Sequence, residues 1–554
     1  MRYLCLILML NLLAFGTALA ESDLKGGRET IATQWKEVEL VFQASSVPAN
    51  PYVDQEGWVE FIHDDGTTMR RPMFWNGGAE FCVRFSSPKR VGSWTWHSVA
   101  KPAVDGLDGI AGRLICRQNE NAQTDFERHG FWHIPAGERN LVHDDGRSRL
   151  LCADTPWALP WRATLEQAEI YAKDRQQKGY NAALLMTVMP DVNTRGPRSR
   201  TEAMGFDVAF NDLAVGRLRD LNVAYFHSYD RLINVLIGNG IAPVHQPVFH
   251  GFGWKGGGTA GNLISPEDYA RYCRYLVARY GARPAIWLIG GDGPATNQSI
   301  IDQLDRAGTE IETWDAYGQP TGIHYAPHGR NDVHQNKSWL DFQWCQTGHS
   351  GDHVPERVAD MWRNRPIKAV ANGEPTYENI GEMGKATGWW QGHEAWCNLT
   401  AGGTMGLVYG AASLWNWCLS ATEPGHPDWC TAPDCGWREA LDFEGAIYPG
   451  IAAGILNQYD VKGMRPDWSC TYGRRGLLIP DKLFVLYLPR GGSTAIISSD
   501  VPRSFRVYDP MTGSLIKSGE LDSKRTAKVD CGIADKPMVV VFSNSVPHDR
   551  GSQL

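Results

Sequence analysis

Between about residues 150 and 460, short apolar runs alternate with amphipathic stretches long enough for helices. The runs at 150–153, 183–188, 241–248, 285–289, 322–326, 340–344, 367–371 and 405–409 lack an in/out alternation of apolar and polar residues. Such runs read as strands buried on both faces, the state of strands in a parallel sheet covered by helices. The intervening stretches carry helix start signals. Thr164 with Gln167 forms a capping-box pattern, and Ser265-Pro266-Glu267-Asp268 places a cap, a first-turn proline and two acids in order. Residues 444–459 supply an eighth helix. Eight strand–helix units close a TIM (β/α)8 barrel, expected over 138–465.

The pattern changes on either side. Over 31–120 the runs 38–42, 58–62, 81–85 and 93–97 are short, with Asp65-Gly66 and Asn76-Gly77-Gly78 as hairpin turns. That predicts an N-terminal immunoglobulin-like β-sandwich. Over 470–546 the runs 483–488, 494–498, 505–508 and 538–542, with a turn at Asp509-Pro510-Met511-Thr512-Gly513, predict a small C-terminal all-β domain.

Composition alters this picture in three places. A net charge of -8 over 554 residues gives no basic footprint for nucleic acid. Residues 1–20 read as a signal peptide, with Arg2, an uncharged apolar stretch over 4–15 and the small-residue site Ala18-Leu19-Ala20. No later run is long enough to span a bilayer, so the expected location is secreted or periplasmic, with no membrane partner after cleavage. Of 12 cysteines, loss of Cys5 with the signal leaves 11, an odd number. Cys430 and Cys435 are the expected bridge, whereas Cys82, Cys116, Cys152, Cys273 and Cys345 lie in apolar patterns typical of buried thiols.

Candidate chemistry concentrates where the barrel strands end. The fourth run leads into Gly290-Gly291-Asp292-Gly293 and the seventh into Asn372-Gly373-Glu374-Pro375. Strand ends of a parallel barrel share the face where active sites are built, and two converging carboxylates are what glycosidic-bond hydrolysis requires. Asp154, at the first strand end, either meets a sugar hydroxyl or caps the following turn. His245, His250, His324, His328 and His349 cluster near strand ends, but Cys152-Ala153-Asp154 brings no paired histidines. Sugar-contacting imidazoles are therefore expected rather than a metal site. Residues 251–256 match a dinucleotide fingerprint formally, yet more glycines and no helix follow, so no cofactor is expected. The 22 tryptophans include Trp157, Trp254, Trp344, Trp415 and Trp417 near strand ends, placed either for sugar stacking or for the core. Arg195, Arg198 and Arg200 follow the second strand, either on a solvated loop or facing an acidic glycan.

These motifs together resemble a known family. Ala153-Asp154-Thr155-Pro156-Trp157 with Arg162, residues 171–175 and Gly179-Tyr180-Asn181 resemble the opening of the apiosidase-like catalytic domain, glycoside hydrolase family 140. The stretch 287–292, Trp339-Leu340-Asp341-Phe342 with Gln346-Thr347-Gly348-His349, and 373–378 are similar to its later signatures, in the same order. Tyr409-Gly410 with Trp415 resembles its eighth-strand pattern. The resemblance implies Asp292 as general acid/base and Glu374 as nucleophile. Asp154, Trp157, His250, Trp254, His324, Tyr325, Gln346, His349, Tyr377, Tyr409 and Trp415 are the expected contacts of an oligo- or polysaccharide. One departure is the fifth-strand end, His324-Tyr325-Ala326-Pro327-His328, where the family has a Tyr-His-Pro type of stretch. The C-terminal segment resembles the small β-domain called collagen-binding in such proteins. The sandwich, with Asn50-Pro51-Tyr52 and Gly92-Ser93-Trp94-Thr95, is similar to a domain found ahead of these barrels. Together these point to a secreted glycosidase acting on a complex plant or algal polysaccharide. A noncatalytic carbohydrate-binding protein on a barrel scaffold is the competing reading, and intact acids at both positions weigh against it.

Overall fold

The computed structural model describes residues 30–189, 208–251, 259–293, 297–327, 332–349, 355–380, 386–421, 435–471, 475–497, 499–521 and 527–545. All eight runs form strands: Leu151–Asp154, Ala182–Met186, Ala242–Gln246, Ile286–Gly293, Thr321–Pro327, Phe342–Gln346, Ala369–Glu374 and Gly406–Tyr409. They pair in parallel in the order 8-1-2-3-4-5-6-7. Met405 N–H donates to Val370 O at 3.2 Å, which joins the eighth strand to the seventh.

Strand period splits the apolar residues into two layers. Leu151, Ala153, Leu184, Val244, Leu288, Phe342, Trp344 and Ala371 fill the barrel interior, whereas Cys152, Leu185, Trp287, Ile323, Val370 and Leu407 face the helices. A feature absent from the sequence reading closes the lower end. Strands Trp132–His133, Leu141–His143 and Ser148–Arg149 form an antiparallel sheet whose Trp132 and Leu141 join the interior cluster. Asn140 Nδ2 donates to Thr404 O and Arg139 Nη1 to Lys368 O, so the plug lies where the seventh and eighth strands begin.

The N-terminal sandwich has a five-stranded sheet (Thr30–Thr33, Ala111–Arg117, Ser93–Lys101, Glu56–His63, Thr68–Pro72) over a three-stranded one (Glu37–Gln43, Glu80–Ser86, Phe74–Gly77). Phe61, Phe85 and Trp94 pack between them. Its attachment to the barrel is buried, with Tyr52 and Phe74 packed on Tyr275 beside a set of polar contacts. Arg71, fully buried, donates through Nη2 to Val277 O at 2.7 Å. Arg84 of the sandwich and Arg279 of the barrel both hold Asp230, at 2.7 and 2.8 Å. At the other end a six-stranded sheet runs in the order Arg465–Asp467, Gly476–Ile479, Leu483–Leu488, Met538–Ser543, Ser504–Tyr508, Leu515–Glu520. Its first strand starts at the residue where the barrel was expected to end. Tyr487 of this sheet stacks on Trp396 of a barrel helix at 5.9 Å and 20°.

Nine cysteines among the described residues are free thiols, and Cys435 is one of them, buried; Cys430 lies outside the described residues. No helix among the described residues is long and apolar enough to cross a membrane.

Candidate active site

Two strand irregularities turn the carboxyls inward. In the seventh strand Ala369 and Ala371 face the interior, so strict alternation would point Glu374 outward. Register against the sixth strand slips between Cys345↔Asn372 and Gln346↔Glu374, which restores the inward direction. Gly373 takes the slip. A Cβ there would lie 2.7 Å from Trp344 Cβ, so only glycine fits. The Asn372 amide, with its nitrogen facing the carbonyls, donates to Glu374 O and Cys345 O at 3.1 Å each and fastens the bulge. The fourth strand slips twice against the fifth, and Asp292 adopts φ 57, a left-handed conformation that Asp tolerates better than most residues. Beside it the Gln246 amide occupies the place a Gly291 side chain would take, 1.9 Å from that Cβ position.

Glu374 is ringed by donors. Tyr377 N–H donates to His349 Nδ1 at 3.2 Å, which leaves the proton of the neutral ring on Nε2, and that nitrogen donates to Glu374 Oε1 at 3.0 Å. The Tyr377 hydroxyl, which accepts from Trp157 Nε1 at 2.7 Å, also reaches Glu374. His324 stacks on Trp157 at 6.0 Å with its Nε2 3.5 Å from Glu374 Oε2. Burial alone would raise the pKa of Glu374; hydrogen bonds from His349 and Gln346 and the facing imidazoles outweigh it and hold the pKa below the usual value. Burial lowers the pKa of His324 as well, so this ring is neutral near pH 7.

Asp292 has the opposite setting. Burial, then the negative charge of Glu374, push its pKa well above the carboxylate range, and the amide of Gln346 opposes them only in part. Among the described residues no cation faces it in return. Several buried polar atoms on neighbouring strand ends have no hydrogen-bond partner among the described residues: both amide atoms of Gln246, Asp292 Oδ1, both ring nitrogens of His324 and Gln346 Oε1. Buried polar groups are rarely left unpaired, and their grouping here suits a ligand rich in hydroxyls. Among the described residues no group of three or more His, Cys, Asp or Glu side chains could hold a metal ion.

Behind the seventh strand lies a second polar layer. Glu394, on the helix Trp389–Thr400, accepts from Thr347 Oγ1 at 3.5 Å and from the Thr376 backbone, tying together the segments that carry His349 and Tyr377. A cavity of about 10 Å³, room for one water, adjoins it between Asn372, Gln391 and Asn398. Burial raises the pKa of Glu394 well above the ordinary value.

The site thus gathers Asp292, Glu374, Trp157, His324, Gln346, His349 and Tyr377, with Trp415 packed at the edge of the interior cluster. Three expected sugar contacts face the wrong layer. Asp154 is fully buried, bound to Arg175 Nε at 2.5 Å and to the Tyr171 hydroxyl at 3.1 Å. Its strand alternates without a bulge, so the parity that puts Ala153 inside puts Asp154 outside. Tyr325 packs in the helix-facing cluster with its hydroxyl on Gln343. Tyr409 does the same and donates to Glu378 Oε2 at 2.6 Å. His250 supports the Asp292 corner from behind, its Nε2 on Gln303 Oε1 at 2.6 Å and its backbone N–H on Gly291 O at 2.9 Å. Of the other strand-end residues, His245 stacks on Trp287, Trp344 belongs to the interior core, and Trp417 is buried against Trp437. Trp254, His328, Arg195, Arg198 and Arg200 lie outside the described residues. Gln246 was missed; its signal was a polar residue at an inward position of Ala-Pro-Val-His-Gln.

Comparison with known proteins completes the picture. No curated protein matches the chain. Residues 31–101 match a domain of unknown function, DUF5060. A solved glycoside hydrolase has the same fold at 18% identity and TM-score 0.64, over 77% of this chain and 99% of its own. A glycoside hydrolase family 5 structure from Bacteroides vulgatus matches at 19% identity and TM-score 0.63, over 78% and 97%. Another structure from that organism, at 13% identity and TM-score 0.67, spans 93% of this chain and 100% of its own, flanking domains included. Residues 135–462, more than half of the chain, match the family described as apiosidase-like, catalytic domain, and the protein is a member of that family of glycoside hydrolases.

Proposed function

We propose that the protein is an exo-acting, retaining glycosidase with Asp292 as general acid/base and Glu374 as nucleophile. The observation that carries this reading is the divergence of the two carboxyls, one kept protonated by burial and a facing negative charge, the other kept ionised by donors. Paired titratable groups pushed apart in this way divide acid from nucleophile. In the first step a Glu374 oxygen bonds to the anomeric carbon while the glycosidic C–O bond breaks and Asp292 gives its proton to the leaving oxygen. In the second, Asp292 takes a proton from water as the water oxygen displaces Glu374 from that carbon. Exo action is supported by the depth of the pair, 6% and 8% exposed, which suits a chain end better than mid-chain. The substrate is a complex plant or algal polysaccharide met outside the cytoplasm, in keeping with the signal-like residues 1–20.

A panel of pectic and algal oligosaccharides, with products resolved by mass and by proton NMR of the first-formed anomer, tests the reading. Single sugars released with retained configuration are expected. Inverted product would overturn the nucleophile, since carboxyls of an inverting pair stand about 6.5–9.5 Å apart rather than about 5–5.5 Å.

A further inference from the structure

We propose that Asn398 is a positioning residue for Glu374, acting through the side-chain amide of Asn372. This rests on the assignment of Glu374 as nucleophile. Asn398 is buried on the helix Trp389–Thr400, and its Nδ2 donates to Asn372 Oδ1 at 3.1 Å. Asn372 in turn donates through Nδ2 to Glu374 O and Cys345 O, one carbonyl on each side of the slip between the sixth and seventh strands. An amide has one donor end and one acceptor end. Turned the other way, Asn372 would set its oxygen against those two carbonyl oxygens and release the bulge that aims Glu374 inward. The donor on its far side is what holds it the right way round.

Thr347 Oγ1 also lies 3.0 Å from Asn372 Oδ1, but a hydroxyl has a single proton, and Glu394 Oε1 competes for it at 3.5 Å. Asn398 therefore supplies the donor that is not shared. Its own direction follows from the same polarity, since an oxygen turned toward Asn372 Oδ1 would bring two acceptors together. Asn398 Oδ1 and Glu394 Oε2 are both buried without a hydrogen-bond partner among the described residues, and both side chains line the cavity that has room for one water. A water has two protons to give, one for each oxygen. Hydrogen-bond direction thus passes from the helix amide to the strand amide and on to the two carbonyls of the bulge. A carboxylate in place of the Asn398 amide would offer only acceptors, and Asn372 would turn its nitrogen toward it and its oxygen toward the bulge. The same carboxyl, once protonated, is a donor again and restores the clasp. Glu394 is the titratable group on this cavity; the strand residues that line it, Asn372, Gly406, Leu407 and Val408, carry no charge.

The test uses the full chain and, from a set of 4-nitrophenyl pentosides and hexosides, the one hydrolysed fastest. The wild type, Asn398→Leu and Asn398→Asp are compared in kcat and KM from about pH 4 to about pH 9. Asn398→Leu, close in size and without a donor, is expected to lose about 10–100-fold in kcat with KM changed less than about threefold. Its loss is expected to be largest at acid pH, because a Glu374 carboxyl turned away from its donors regains a higher pKa. Asn398→Asp is expected to run the other way, near wild type at acid pH and worse by about tenfold or more as the introduced carboxyl ionises. Losses constant across pH in both variants, or wild-type kinetics in both, overturn the proposal and leave the carboxyl pair standing. Should neither variant fold by circular dichroism, the wild type decides in a diffraction map at atomic resolution, where amide nitrogen and oxygen are told apart. Nitrogen of Asn398 toward Asn372 is the expected result, and oxygen there overturns the proposal. Glu374→Gln with wild-type turnover overturns the nucleophile assignment, and this inference with it.

Discussion

The Asp292 corner and the Glu374 corner look alike in sequence, an apolar run followed by glycine and one acid, and the fold treats them in opposite ways. At Glu374 a single bulge turns the side chain into a ring of donors, and a second polar layer around Glu394 fixes the segments that bring them. At Asp292 the backbone is bent into a left-handed turn, and the carboxyl meets burial, a negative neighbour and one amide. The residue type says that a proton can be exchanged. Its surroundings decide whether the proton is present at rest.

The contrast breaks most visibly in turnover. Glu374→Gln should abolish measurable hydrolysis, whereas Asp292→Asn should lose about 10²–10⁴-fold on substrates with poor leaving groups and far less on 4-nitrophenyl glycosides. Equal losses on both substrate types would remove the division of roles. Next in size is His349→Leu. Removing the donor raises the pKa of Glu374, so the acidic limb of the kcat/KM profile should move to higher pH and kcat fall roughly 10–100-fold; a profile unmoved in its acidic limb would show that His349 does not hold the charge.

Stability sharpens the same comparison. The folded pKa of Asp292 is raised, so any stability it contributes is present below its unfolded pKa of about 3.9 and lost as pH climbs. The folded pKa of Glu374 is lowered, so its contribution is present above about 4.3 and lost as pH falls. Asp292→Asn should therefore stabilise and Glu374→Gln destabilise by about 1–3 kcal/mol at pH 7, with both differences fading near pH 3 in thermal melts. Parallel shifts of the same sign would contradict the divergence. The smallest effect belongs to the second layer: Glu394→Gln, which keeps the acceptor for Thr347, should melt within about 0.5 kcal/mol of wild type, while Glu394→Ala should cost about 1–3 kcal/mol.

How far the sequence revealed this depended on parity. Strands buried on both faces are legible as apolar runs, and all eight form where expected. At their ends the reading turns on whether an irregularity intervenes, and a bulge leaves little mark beyond a glycine. Asp154, Tyr325 and Tyr409 were placed in the site because they follow apolar runs, yet Asp154 and Tyr409 keep regular alternation and all three face the helices. Glu374 follows the same kind of run and faces inward only because of Gly373. The lower plug escaped notice because its strands, two and three residues long, carry no period to read. Gln246 escaped because one glutamine in an apolar strand is as compatible with an exposed edge as with a site.

The buried arginines at the sandwich–barrel seam set the unit that can be moved between proteins. Cutting the chain between sandwich and barrel would take Arg84 from Asp230 and leave Arg279 to face that carboxylate alone at a newly wetted surface, while Val277 O loses the guanidinium of Arg71. A chimera that transplants the barrel therefore has to carry its own sandwich with it, and gene fusions that respect the seam are the ones in which the strand ends keep their register.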